Sequence, residues 1–130
     1  MTAAGVRLLL MDDEDSVRGI VSRMLRRLGY DVEVARDGAE AEALFAQAHR
    51  EGRPFAAAIL DLSVPGGLGG AATLAALRAI DPQIRAAAST GHALDGAGGD
   101  LRALGFTAVL LKPYSMDELA SVAARLAERA

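Results

Sequence analysis

The chain has no cysteine, no tryptophan, only four prolines, and a single lysine among 130 residues. Lack of cysteine excludes a disulfide frame and thiol chemistry, and fits a cytoplasmic protein. Aromatic residues supply 4% of a chain that is 52% hydrophobic, and alanine, at 28 positions, fills the gap. The core is therefore built from small side chains, and its helices pack closely. No apolar run approaches the roughly 20 residues that span a bilayer, which argues against membrane contact, and Met1 to Leu10 is too short for a signal peptide. A net charge of −3 without a concentrated basic face argues against nucleic acid as a direct partner. Arg23, Arg26 and Arg27 cluster, but at the spacing of a solvated helix face.

What is present is order. Residues 1–130 form one expected domain, with no repeat, linker or low-complexity tail. Arg7 to Met11 is a short apolar run stopped by Asp12-Asp13-Glu14-Asp15. From Ser16 the apolar residues Val17, Ile20, Val21, Met24, Leu25 and Leu28 fall at helical spacing, and Gly29 closes the helix. Asp31 to Ala35 alternates as an edge strand does, and Asp37-Gly38 opens a helix to about Arg50, anchored by Leu44 and Phe45.

Phe55 to Leu60 is continuously apolar, as in a strand buried on both faces, and ends at Asp61. A glycine-rich loop from Pro65 to Gly70 leads to a helix through Leu74, Leu77 and Ile80. Ile84 to Ser89 reads as a strand, although Ala86-Ala87-Ala88 suits a helix by propensity. Residues 95–104 form a weak fourth helix, Thr107 to Leu111 a fifth strand, and Met116 to Arg129 a closing helix. Five strands alternating with five helices predict an α/β fold: a doubly wound, flavodoxin-like parallel sheet of order 2-1-3-4-5. Ligands of such sheets bind at the carboxyl ends of the strands, around the switch between strands 1 and 3.

At those ends stand Asp12-Asp13, Asp61, Thr90 and Lys112-Pro113. Carboxylates converging in one crevice repel, and a divalent cation relieves the repulsion. The oxygen-only donor set suits magnesium. A site for the metal alone needs neither lysine nor threonine, whereas a phosphoryl-accepting site needs an acceptor oxygen, a cation and donors to the phosphoryl oxygens. The competing reading makes the acidic run N-terminal caps of the first helix. It suits Glu14 and Asp15 better than the strand-end pair, and Asp61 has no such role.

Met11-Asp12-Asp13-Glu14, Leu60-Asp61-Leu62-Ser63-Val64-Pro65, Thr90-Gly91 and Lys112-Pro113-Tyr114 together resemble the receiver domain of bacterial two-component response regulators. Pro65 to Gly70 and Ser89-Thr90-Gly91-His92 look most like receivers appended to hybrid sensor histidine kinases. The resemblance implies phosphorelay signalling, with Asp61 accepting a phosphoryl group from a histidine kinase or histidine phosphotransfer domain. It implies Mg2+ held by Asp13, Asp61 and the backbone carbonyl of Ser63, with Asp12 acting mainly through water. Lys112 then contacts the phosphoryl group, often across a cis bond to Pro113. Thr90 supplies the switch hydroxyl, and Gly91 leaves room for its approach. It also leaves open dimerisation through the fourth helix, fifth strand and fifth helix.

Three features depart from the pattern or test it. Val109 stands where many receivers carry a switching aromatic, so a weakened or rerouted link from Thr90 is expected; Phe106 and Tyr114 are assigned to packing. Gly96-Ala97-Gly98-Gly99 is too irregular for a dinucleotide fingerprint and reads as flexibility. His49 suits a helix end, while His92 and Ser63 lie where they can tune phosphoryl lifetime. A magnesium-dependent phosphatase or phosphotransferase is the enzymatic alternative, but it typically needs a second aspartate where Ser63 stands. A binding-only pseudo-receiver is the other, though every acidic, hydroxyl and lysine position is filled. An acidic first loop excludes flavin. The expected protein is a switch that catalyses at most its own phosphorylation and dephosphorylation, rather than an enzyme.

Overall fold

The computed structural model describes residues 5–62, 69–91 and 105–128. Its elements are β1 (Arg7–Met11), α1 (Asp15–Arg27), β2 (Asp31–Ala35), α2 (Gly38–Arg50), β3 (Ala57–Asp61), α3 (Gly70–Ile80), β4 (Arg85–Thr90), β5 (Ala108–Leu111) and α4 (Met116–Ala127). All strands are parallel, in the order β2-β1-β3-β4-β5, which is the flavodoxin-like arrangement. Four helices are described against five expected. The predicted helix over 95–104, its glycine cluster, His92, Ser63 and the loop from Pro65 to Leu68 lie outside the described residues.

Strand alternation sends neighbouring side chains to opposite faces, and β1 shows why both are apolar. Leu9 and Met11 join Phe45 of α2 and Leu74 of α3 in one core. Leu8 and Leu10 join Leu25 of α1 and Leu119 of α4 in the other. Alanine in β4 resolves the propensity conflict: Ala86 and Ala88 enter the first core and Ala87 the second, so small size lets helices approach both faces. Phe106 is buried in the first core and Tyr114 packs on the second, as packing residues should.

Ile20 departs from expectation. The helical spacing places it on the apolar face, but it is 53% exposed. Val17, Val21, Met24, Leu25 and Leu28 complete the buried stripe, and Ile20 falls at its solvent margin. Arg23, Arg26 and Arg27 are exposed, as a solvated face requires.

Local chemistry sets the element ends. Asp37 caps α2 by accepting from the Glu40 amide, and Ser115 and Glu118 form a capping box on α4. Gly29, at φ 98°, turns the chain after α1 where a side chain would be strained. At the opposite pole from the acidic run, Arg78 Nη2 donates to the carbonyls of Ile84 and Gly105, tying α3 to β4 and to the approach to β5.

Candidate functional site

Register brings the polar strand ends together. Met11 pairs with Leu60, so Asp12 and Asp61 leave adjacent strands side by side. Asp61 pairs with Ser89, placing Thr90 one residue further along the crevice, and Thr90 pairs with Leu111, just before Lys112. The Lys112 amide donates to the Thr90 carbonyl at 2.8 Å, carrying the ladder one step past β5. The Lys112–Pro113 peptide is cis, as the resemblance implied.

Asp12 and Asp61 are buried, and Asp13 is exposed at the rim. One carboxylate oxygen from each lies within 4.8 Å of the others, so the three can converge on one cation. The hard oxygen donors fit magnesium, whose remaining positions would be met by water. Lys112 Nζ lies 2.7 Å from Asp12 Oδ2 and 3.5 Å from Asp61 Oδ2, its side chain 18% exposed. Burial alone would lower the lysine pKa. The hydrogen bond and charge of Asp12, with the charges of Asp61 and Tyr114, outweigh it and hold the ammonium above its ordinary value.

The β1–α1 turn is held from several sides. Asp12 Oδ1 accepts from the Glu14 amide at 2.9 Å, and the Asp12 amide donates to Ala35 O at 3.0 Å. Glu14 occupies the N-cap position, but its side chain makes no capping hydrogen bond, and Asp15 pairs with Arg18. Capping therefore does not account for Asp12, Asp13 or Glu14. Arg18 Nη1 donates to the Asp12 carbonyl at 2.7 Å, a contact that sequence periodicity does not reveal.

Beneath the crevice, burial pushes the Tyr114 hydroxyl up, reinforced by Asp12 and Asp61 and partly offset by Ser89 and Lys112. Its approach to Ser89 falls short of a well-formed hydrogen bond: among the described residues, the buried Ser89 Oγ has no partner of ordinary geometry. Thr90 is buried at the end of β4, and a Cβ added at Gly91 would meet no described atom within 4 Å. Val109 is half-buried against the first core, and His49 is exposed in the last turn of α2.

A sequence model of the response regulator receiver domain matches residues 8–124. A response regulator receiver protein of Anaeromyxobacter sp. (strain Fw109-5) is 34% identical over 113 residues, covering 87% of this chain and 45% of that protein. The transcriptional regulatory protein PrrA of Mycobacterium tuberculosis is 35% identical over 114 residues, covering 87% of this chain and 46% of that protein. The chain thus spans just under half the length of these relatives. Among solved structures, the chemotaxis protein CheY4 of Vibrio cholerae aligns with a TM-score of 0.81 at 28% identity, over 93% of this chain and 98% of that one. A receiver domain from Clostridium thermocellum aligns with a TM-score of 0.83 over 94% of both chains, a likeness of fold at 21% identity. No described helix is long and apolar enough to cross a membrane.

Proposed function

The chain belongs to the response regulator receiver domain family, and on that footing we propose that it accepts a phosphoryl group on Asp61 from a phosphohistidine of a kinase or phosphotransfer protein. The observation that carries this reading is the convergence of the Asp12, Asp13 and Asp61 carboxylates within 4.8 Å at the carboxyl ends of β1 and β3. An Asp61 oxygen attacks phosphorus and forms a P–O bond. The P–N bond to the donor imidazole breaks, and its electron pair returns to nitrogen. The product is an acyl phosphate, which water later cleaves to carboxylate and inorganic phosphate. Lys112, 3.5 Å from Asp61 Oδ2, would meet a phosphoryl oxygen, and Thr90 would supply a hydroxyl to another. Asp12, Asp13 and Asp61 would hold magnesium, which supplies the positive charge that offsets both the carboxylates and the transferring group.

The domain is a switch and not a turnover enzyme. A phosphatase of similar architecture needs a general acid two residues beyond the nucleophile, and the sequence has Ser63 there. Residence in the cytoplasm is part of the same proposal. Incubation with a small phosphodonor and Mg2+ is expected to give a species heavier by one phosphoryl group. Asp61→Asn is expected to abolish it, and chelation of Mg2+ to suppress it. Equal labelling of Asp61→Asn, or labelling indifferent to magnesium, overturns the assignment.

A further inference from the structure

We infer that Arg18 is a positioning residue for the acidic pair, holding the Asp12–Asp13 peptide so that the exposed Asp13 carboxylate stays in register with Asp12 and Asp61. The inference rests on the proposed magnesium-dependent function and extends it to a residue outside the ligand set. Arg18 lies one turn into α1, yet its side chain is only 13% exposed. One arm of the guanidinium, Nη1, donates to the Asp12 carbonyl at 2.7 Å, while Nη2 donates to the Asp15 carboxylate.

The carbonyl it grips matters. Asp12 is already fixed through its side chain, which accepts from the Glu14 amide at 2.9 Å and faces Lys112 Nζ at 2.7 Å. Its amide is fixed by Ala35. The Asp12 carbonyl belongs to the planar unit leading into Asp13, so holding that oxygen sets the direction in which Asp13 leaves the strand. Asp13 is exposed, and burial does not select its side-chain rotamer. A planar guanidinium suits the task because its two arms diverge in a fixed geometry, and it bridges a carbonyl and a carboxylate at once.

Charge and position make opposite predictions. Arg18 is a cation beside a cation site, so if it acts through charge alone, removing it strengthens magnesium binding. If it positions Asp13, removing it weakens binding, as loss of a group orienting a metal ligand does.

The test is a Mg2+ titration of the full chain, followed by calorimetry and by the Asp13 amide shift, for wild type, Arg18→Met and Arg18→Lys. Each is titrated at a temperature where its unfolding curve shows it fully folded. Both variants are expected to bind Mg2+ about tenfold more weakly, since lysine keeps the charge and stem without the planar fork. A purely structural Arg18 lowers the unfolding temperature and leaves the affinity of the folded protein unchanged. Unchanged or tighter binding in Arg18→Met overturns the inference. Should that variant not fold, unchanged binding in Arg18→Lys overturns it equally. A wild type that binds no Mg2+ overturns the functional reading beneath it, an outcome visible before any variant is compared.

Discussion

Lys112 lies nearer to Asp12 than to Asp61: its ammonium is 2.7 Å from the first carboxylate and 3.5 Å from the second. The lysine therefore neutralises chiefly Asp12 and only secondarily Asp61, the proposed acceptor. Its ammonium and a divalent cation draw on the same negative charge.

Lys112→Met leaves Asp12 and Asp61 buried beside each other without that cation. In the absence of Mg2+ the variant is expected to lose stability, toward the lower end of the roughly 3–5 kcal/mol typical of a broken buried pair because Lys112 is partly solvated. Mg2+ is expected to bind it more tightly and to restore more stability than it gives wild type. Thermal unfolding with chelator and with Mg2+ checks both effects. Equal stabilisation of the two proteins by Mg2+ would show that the ammonium does not compete.

Val109 is half-buried in β5 and has no ring to swing between solvent and core. A phosphoryl mimic is expected to shift the amides of Asp12, Asp13, Asp61, Thr90 and Lys112 strongly, and those of α4 little. Amide chemical-shift mapping with and without the mimic reads this directly. A rearrangement extending throughout β5 and α4 contradicts it.

The two tyrosines report alkaline behaviour, since the chain has no tryptophan to mask them. Burial raises both Tyr30 and Tyr114 above the ordinary value of 10.0. The folded protein therefore keeps phenolic protons that the unfolded chain releases, and by linkage stability falls as pH rises. This contribution is complete below about 10 and is lost through the folded values. Tyrosinate absorbance is expected to appear at higher pH in the folded protein than in denaturant, and Tyr114→Phe to remove part of the difference. Coincident titrations sink the prediction.

Gly70 opens α3 against the end of β3, where an added Cβ would lie 2.8 Å from the Asp61 carbonyl and 3.3 Å from that of Leu60. Backbone cannot yield as a flexible side chain does. Gly70→Ala is expected to cost about 1–3 kcal/mol, measured by denaturant unfolding, and to displace the Asp61 amide resonance. A change below the error of the midpoint contradicts this close approach.

Much of this was legible in the sequence because the strands are short apolar runs ended by charged or polar residues. Asp12, Asp61, Thr90 and Lys112 mark their own strand ends, and parallel register aligns them. Ile20 was misread because spacing alone does not tell the centre of an apolar stripe from its margin. Arg18 escaped notice because its partner lies across a turn, where neither period 2 nor period 3.6 applies. The balance of Lys112 between two carboxylates is a matter of ångströms that composition does not encode.

The amide of Lys112 hangs on the carbonyl of Thr90, and Thr90 itself pairs with Leu111, an apolar side chain left 47% exposed on the outermost strand. The proposed hydroxyl and ammonium contacts thus share one rigid rung whose far end is a greasy outward-facing handle. The polar crevice and a solvent-exposed leucine on the sheet's edge are thus neighbours along a single hydrogen-bonded step.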